Sequence, residues 1–129
     1  MCGIIAIVRR PTDRPVPGPA EVVDRLEAAS RLLEDAYRRL VAVPTAPADL
    51  SPPVAEAAIM IGAADETLRG VAGVRVLLED PALRVEVTNL VDGLGRQVTE
   101  LESALDAGLD AGLVGADLEQ VNASIVLAK

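Results

Sequence analysis

The amino-acid sequence predicts a mainly α-helical fold: a bundle of about four helices preceded by one short N-terminal β-strand. Half of the 129 residues are hydrophobic, yet the chain has no Phe, no Trp and one Tyr. The apolar residues are therefore mostly Ala, Val and Leu, which suit packed helices. Apolar positions recur every three or four residues over most of the chain, and proline-rich stretches separate the periodic segments.

The N-terminal strand is predicted at Ile4–Val8. This run is short, rich in β-branched residues and bounded by Gly3 and Pro11, which is typical of a buried strand. Residues 11–19 contain four prolines and one glycine and predict an extended linker. Few later segments qualify as partner strands, so this strand lacks the sheet that we expect around it.

Two helices are predicted in the first half of the chain. The first begins near Pro19 and ends before Pro44, with one apolar stripe: Val22, Leu26, Ala29, Leu33, Ala36 and Leu40. The second has Ser51 as its N-cap and covers Val54 to Ala63 or Ala64, with four core candidates: Val54, Ala57, Ala58 and Ile61. Asp65 is expected to cap a further segment with one apolar face: Leu68, Val71 and Leu78, with Ala64 and either Val74 or Arg75.

The longest periodic run opens at Asp80 and Pro81. Its apolar seam has near-heptad spacing: Leu83, Val87, Leu90, Leu94, Val98, Leu101 and Leu105. Gly93 and Gly95 interrupt the seam and predict a kink or a close helix contact. We interpret the seam as the core of an internal bundle; a coiled coil with a partner helix, or a homodimer, is the alternative. Asp117 is predicted to cap a last helix, which runs from Leu118 to Lys129.

Composition excludes several classes of function. The net charge of −8 argues against nucleic acid as a partner, because phosphate binding needs a basic surface. One cysteine excludes an intramolecular disulfide and a Cys-based zinc site. The absence of histidine argues further against a transition-metal site, so we predict no metal ligands and no cofactor. The chain has no signal-peptide pattern and no apolar stretch of the roughly 20 residues that a membrane span needs. We therefore predict a soluble, cytoplasmic protein.

The only cysteine, Cys2, directly follows the initiator methionine. Removal of Met1 would give one residue both a thiol and a free α-amine, which is a known arrangement of nucleophile and base. The start Met1-Cys2-Gly3-Ile4 resembles that of the class II glutamine amidotransferases, which are α+β N-terminal nucleophile hydrolases. Within this class it is most similar to the isomerising glutamine–fructose-6-phosphate aminotransferases. The resemblance covers about ten residues.

The resemblance implies that Cys2 attacks the side-chain amide of glutamine and that the backbone of Gly3 lies close to the substrate. It also implies that the ammonia passes to a sugar phosphate, for glucosamine 6-phosphate synthesis. Amidophosphoribosyltransferases, asparagine synthetases and glutamate synthases share this start and remain alternatives.

Other motifs of the family do not appear. Its Arg-Gly-x-Asp-Ser segment has no counterpart, since Arg69-Gly70 is followed by Val71-Ala72-Gly73. The division that we expect is residues 1–10 as the first strand of an amidotransferase domain, 11–19 as linker and 20–129 as a helical insertion. The 129 residues would then be an N-terminal fragment that is inactive by itself. The alternative is a helical interaction or oligomerisation module without catalysis.

Overall fold

The computed structural model describes residues 18–42, 50–110 and 118–129, which form five α-helices and no strand. The helices are α1 (Pro19–Ala42), α2 (Ser51–Leu68), α3 (Gly70–Glu79), α4 (Pro81–Asp110) and α5 (Leu118–Ala128). The prediction of a mainly helical fold is confirmed. The strand predicted at Ile4–Val8, most of the linker and the cap predicted at Asp117 lie outside the described residues.

Four of the helices form a bundle. The long helix α1 packs between α2 and α4, and α5 packs mainly against α2. Arg25, near the start of α1, donates hydrogen bonds to the Ala63 carbonyl oxygen (3.2 Å) and to Thr67 Oγ1 (2.9 Å), near the end of α2. These two helices are therefore antiparallel, as short connections favour.

The predicted apolar stripe of α1 is confirmed at every position. All six residues are buried, and Val22, Ala29 and Ala36 are fully enclosed. The seam of α4 is buried in the same core, with only Leu90 left partly exposed. The interpretation of the seam as an internal bundle core is therefore confirmed, and the seam is not a free surface for a partner helix.

The ends of α2 differ from the prediction. Leu50, not Ser51, precedes its first turn, and no side-chain hydrogen bond caps it. The helix continues through Asp65 to Leu68, so Asp65 does not cap a new segment. Its carboxylate instead accepts a hydrogen bond from Arg69 Nε (2.6 Å). Ile61, predicted in the core, is only partly buried.

The predicted apolar face of α3 is wrong. Ala72, Gly73 and Val76 are buried, whereas Val71, Val74 and Leu78 are 44%, 53% and 66% exposed. The cause is the break before α3: Arg69 is extended (φ −67°, ψ 142°) and Gly70 has a φ of 81°. Positive φ suits glycine, and the two residues together rotate α3 out of phase with α2.

The glycines of α4 do not interrupt it. The helix runs unbroken from Pro81 to Asp110 through Gly93 and Gly95, and Asp80 Oδ1 accepts the first-turn hydrogen bond from Leu83 N (3.0 Å). A Cβ added at Gly95 would meet no other atom within 4 Å. Close helix contact is therefore not the reason for glycine at this position.

One groove is lined by Leu26 of α1, Leu68 of α2 and Leu127 of α5. The first turns of α1 and the last turns of α2 and α5 therefore lie at the same end of the bundle. Leu94 of α4 lines it too. Thirteen residues of α4 precede Leu94, but only seven residues of α1 precede Leu26. At a rise of about 1.5 Å per residue, the start of α4 therefore extends roughly 9 Å beyond the start of α1 at this end of the bundle. Helix α3 packs against α4.

Candidate functional site

The two site residues predicted from sequence, Cys2 and Gly3, lie outside the described residues. Their roles as nucleophile and substrate-side backbone therefore stay predictions. The structure shows instead which surfaces the helical body presents. They include a groove at one end of the bundle, an apolar stripe on α3 and a groove with acidic sides between α4 and α5.

The end groove is open to solvent, has a volume of about 580 Å³ and is built by four helices. Its floor consists of the core residues Leu26, Ala64, Leu94 and Val98. Its walls include Val91, which is 50% exposed, and Leu127, which is 76% exposed. Such a concave, largely apolar surface suits an apolar occupant.

Gly62 and Gly95 face the end groove from opposite helices, α2 and α4. Glycine inside a helix costs about 1 kcal/mol relative to alanine, and neither position requires it. Both have negative φ, and an added Cβ would touch nothing within 4 Å at either. What the two glycines do provide is room, because a larger side chain at either position would narrow the groove.

The rim of the end groove carries paired charges. Asp65 and Arg69 form an ion pair through Arg69 Nη2, and this pairing raises the pKa of the Arg69 guanidinium through hydrogen bonding and charge attraction. Lys129 Nζ lies 2.6 Å from Glu102 Oε1 of α4. Arginine is already cationic at any ordinary pH, so the raised pKa describes a structural pair and not a proton-transfer group.

The α3 stripe consists of Val71, Val74 and Leu78, which lie on one exposed face of the helix. Beside it, Arg75 Nε donates to Glu79 Oε1 (2.6 Å), and this bond raises the pKa of Arg75. The spacing of three and four residues places the three side chains in one line. The line is short, because α3 has only ten residues.

A second groove lies between α4 and α5 and combines polar with apolar side chains. It encloses about 520 Å³ and has Glu102, Asp106, Glu119 and Asn122 along its sides, with Leu105 and Ile125 beneath. Among the residues that the structure describes, no group of three or more carboxylate, thiol or imidazole side chains is placed to hold a metal ion. Within the same ranges, no helix has both the length and the apolarity to cross a bilayer.

Comparison of the chain with models of protein families, with curated proteins and with solved structures finds no match. The end groove was not predicted from the sequence. A usable signal was present, since two predicted helices contain glycines in their interiors. Only the packing of α2 and α4 against α1 shows that Gly62 and Gly95 face the same space.

Proposed function

We propose that this chain supplies the nucleophile of a class II glutamine amidotransferase. The observation that carries the proposal is the position of the only cysteine, Cys2, behind the initiator methionine and before Gly3 and an apolar run. Removal of Met1 leaves the thiol and the α-amine on one residue. A thiol with a pKa of about 8.5 and an amine with a pKa of about 8 can exchange a proton close to neutral pH.

The chemistry proceeds in two steps. The α-amine of Cys2 accepts the thiol proton, and the thiolate attacks the side-chain amide carbon of glutamine. The C–N bond breaks, the amine returns a proton to the leaving nitrogen, and ammonia departs from a γ-glutamyl thioester. Water then hydrolyses the thioester to glutamate and restores the thiol.

The helical body is proposed to be an insertion that follows the first strand. The first turn of α1 and the last turn of α5 lie at the same end of the bundle, where Leu26 and Leu127 line one groove. A body inserted into another domain needs this geometry, because the chain must leave the host and return to it at nearby points. The arrangement supports an insertion but does not identify the host.

The resemblance at residues 1–10 favours a sugar phosphate as the acceptor of ammonia, with glucosamine 6-phosphate as product. The isolated 129-residue chain is expected to be inactive, since the family's oxyanion-stabilising and glutamine-binding motifs do not appear in its sequence. Loss of one oxyanion donor alone costs about two to three orders of magnitude in rate.

The proposal is tested with the isolated chain and with the full-length product of its gene. Mass spectrometry of the purified proteins is expected to show an N-terminus at Cys2. Glutamate release from glutamine is expected from the full-length product only, and Cys2→Ala is expected to abolish it. A second variant inserts one alanine between Met1 and Cys2; it keeps the thiol but separates it from the α-amine, and it should be inactive too. Glutaminase activity that survives Cys2→Ala contradicts the proposal.

A second candidate function is a helical interaction module without catalysis. The α4 seam was the surface expected to bind a partner, but it is buried. The exposed α3 stripe is the feature that favours an interaction module. Light scattering after size exclusion tests it. An oligomer that Val74→Asp dissociates, but Val41→Asp does not, would support the module. Val74 and Val41 are both 53% exposed, so the control is matched; a monomer throughout counts against the module.

A further inference from the structure

We propose that the end groove binds the N-terminal apolar run, Ile4–Val8, of the same chain. The proposal goes beyond the function proposed above and does not depend on the chemistry of Cys2. A β-strand has two faces, and a layer of helices commonly covers one of them. The end groove would give the run such a cover.

The position of the groove makes the N-terminal run a suitable occupant. Leu26 of α1 lines the groove, and Pro19 lies about 10 Å before it along the helix, toward the same end of the bundle. Ten residues separate Val8 from Pro19. At about 3.1 Å per residue for a proline-rich stretch, they span up to roughly 34 Å, which exceeds the distance required.

The lining of the groove fits an apolar, extended segment. Val91 and Leu127 expose aliphatic surface at its walls, and Gly62 and Gly95 leave open space where other helix residues would have side chains. Both glycines weaken their helices without serving the packing of the bundle. An occupant that needs this space explains why both face the same groove.

Charge favours the same occupant. The first 17 residues contain three arginines and one aspartate, a net charge of +2. The whole chain carries −8, so residues 18–129 carry −10. Arg9 and Arg10 directly follow the apolar run, and the field of an acidic body attracts such a basic segment at distances up to about a Debye length.

Size argues against a second copy of the chain. A stable interface between two proteins takes roughly 800 Å² and 20–30 residues from each partner, whereas 15 residues line the end groove. A segment tethered to α1 needs much less contact area, because the linker keeps its effective concentration high. Five extended residues span about 17 Å, which suits a groove of this size.

Cys2 is the only cysteine, so a nitroxide spin label attached to it marks the N-terminal segment alone. With the isotope-labelled chain, we expect paramagnetic loss of amide signal at Gly95, Val98 and Leu127 and none at Leu40, at the opposite end of α1. Mixing spin-labelled, unenriched chain with enriched, unlabelled chain should give no loss. Absence of loss at the groove, loss centred elsewhere, or loss in the mixed sample overturns the proposal.

Variants test whether the groove itself holds the segment. Gly95→Leu fills the groove and should abolish the signal loss, whereas Gly93→Leu changes the same helix without lining the groove and should preserve it. A Cβ at Gly93 approaches only the end of the Arg96 side chain, at 3.9 Å. Should Gly95→Leu fail to fold, Leu127→Glu serves instead, because that side chain is 76% exposed. Unchanged signal loss in the groove variant overturns the proposal.

Discussion

Gly73 and Gly95 have opposite surroundings although both lie in helices. A Cβ added at Gly73 would overlap the backbone carbonyl group of Leu68, where the chain bends from α2 into α3. A Cβ at Gly95 would meet nothing within 4 Å. Packing therefore requires glycine at position 73 but does not require it at position 95.

The contrast predicts opposite effects of alanine. Gly73→Ala should lower the free energy of unfolding by about 1–3 kcal/mol, since backbone atoms must move. Gly95→Ala should raise it by up to about 1 kcal/mol, because alanine favours the helix. Urea denaturation followed by circular dichroism measures both changes. Stabilisation by Gly73→Ala would show that the bend between α2 and α3 adapts freely.

Arg25 joins α1 to α2 with a partly buried side chain. Its guanidinium donates to the Ala63 carbonyl oxygen and to Thr67 Oγ1, and it also pairs with Glu21 at 2.7 Å. Arg25→Met should cost about 1 kcal/mol of stability through these hydrogen bonds. Arg31→Met is the control: Arg31 is 69% exposed and pairs with Glu27 at 3.5 Å, so a change below about 0.5 kcal/mol is expected. Equal effects of the two substitutions would contradict this role of Arg25.

At the scale of elements, the paired seams of α1 and α4 form most of the core. Leu101 is fully buried, whereas Leu127 is 76% exposed. Leu101→Ala should therefore lower the free energy of unfolding by about 2–5 kcal/mol, and Leu127→Ala should change it by less than about 0.5 kcal/mol. Thermal unfolding of the two variants compares the same chemical change at both sites. A small effect of Leu101→Ala would indicate that the core collapses to fill the cavity.

Elements with long, regular periods were predictable from the sequence. The stripe of α1 and the seam of α4 repeat over six and seven positions, so one misplaced residue cannot change the face that is buried. The face of α3 was not predictable in this way. Its phase depends on the backbone dihedral angles of Arg69 and Gly70, and a periodic pattern in the sequence contains no information about them.

The start of α2 was mispredicted for a related reason. Ser51 is a common N-cap residue, but the helix already includes it, and its side chain is buried. The two prolines that follow are compatible with the first turn of a helix, and this does not distinguish Leu50 from Ser51 as the residue before it. The sequence pattern therefore predicted the helix but placed its start one residue too late.

At the scale of the whole molecule, the sequence and the structure point to different candidate sites: Cys2 comes from the sequence and the end groove from the structure. Cys2 could be predicted from the sequence because the proposed chemistry depends on its place in the chain, and its role stays a prediction. The end groove could not be predicted from the sequence, because it lies between α1, α2, α4 and α5. The pairing of these helices depends on contacts between residues that are far apart in the chain. Because the seam is buried, Leu94→Asp or Leu101→Asp is expected to unfold the bundle.

The common end of α1 and α5 predicts that the bundle tolerates circular permutation. A flexible linker would join Lys129 to Gly18, with new termini between α1 and α2. The permuted chain should keep its helical circular dichroism and a single cooperative unfolding transition, because no helix contact is cut. A permutant with new termini in the middle of α4 is the control and should lose cooperativity. Loss of folding in both would argue that the two ends lie too far apart to be joined.

The same placement determines how the bundle responds to mechanical force. Residues 18 and 129 lie at the same end of the bundle, so tension between them acts perpendicular to the helix axes. The helices are then pulled apart sideways and do not slide along one another. The short helix α5 packs mainly against α2 and would detach first. A bundle loaded in this geometry unzips helix by helix at low force. An unfoldase that pulls on Lys129 would therefore detach α5 before the longer helices.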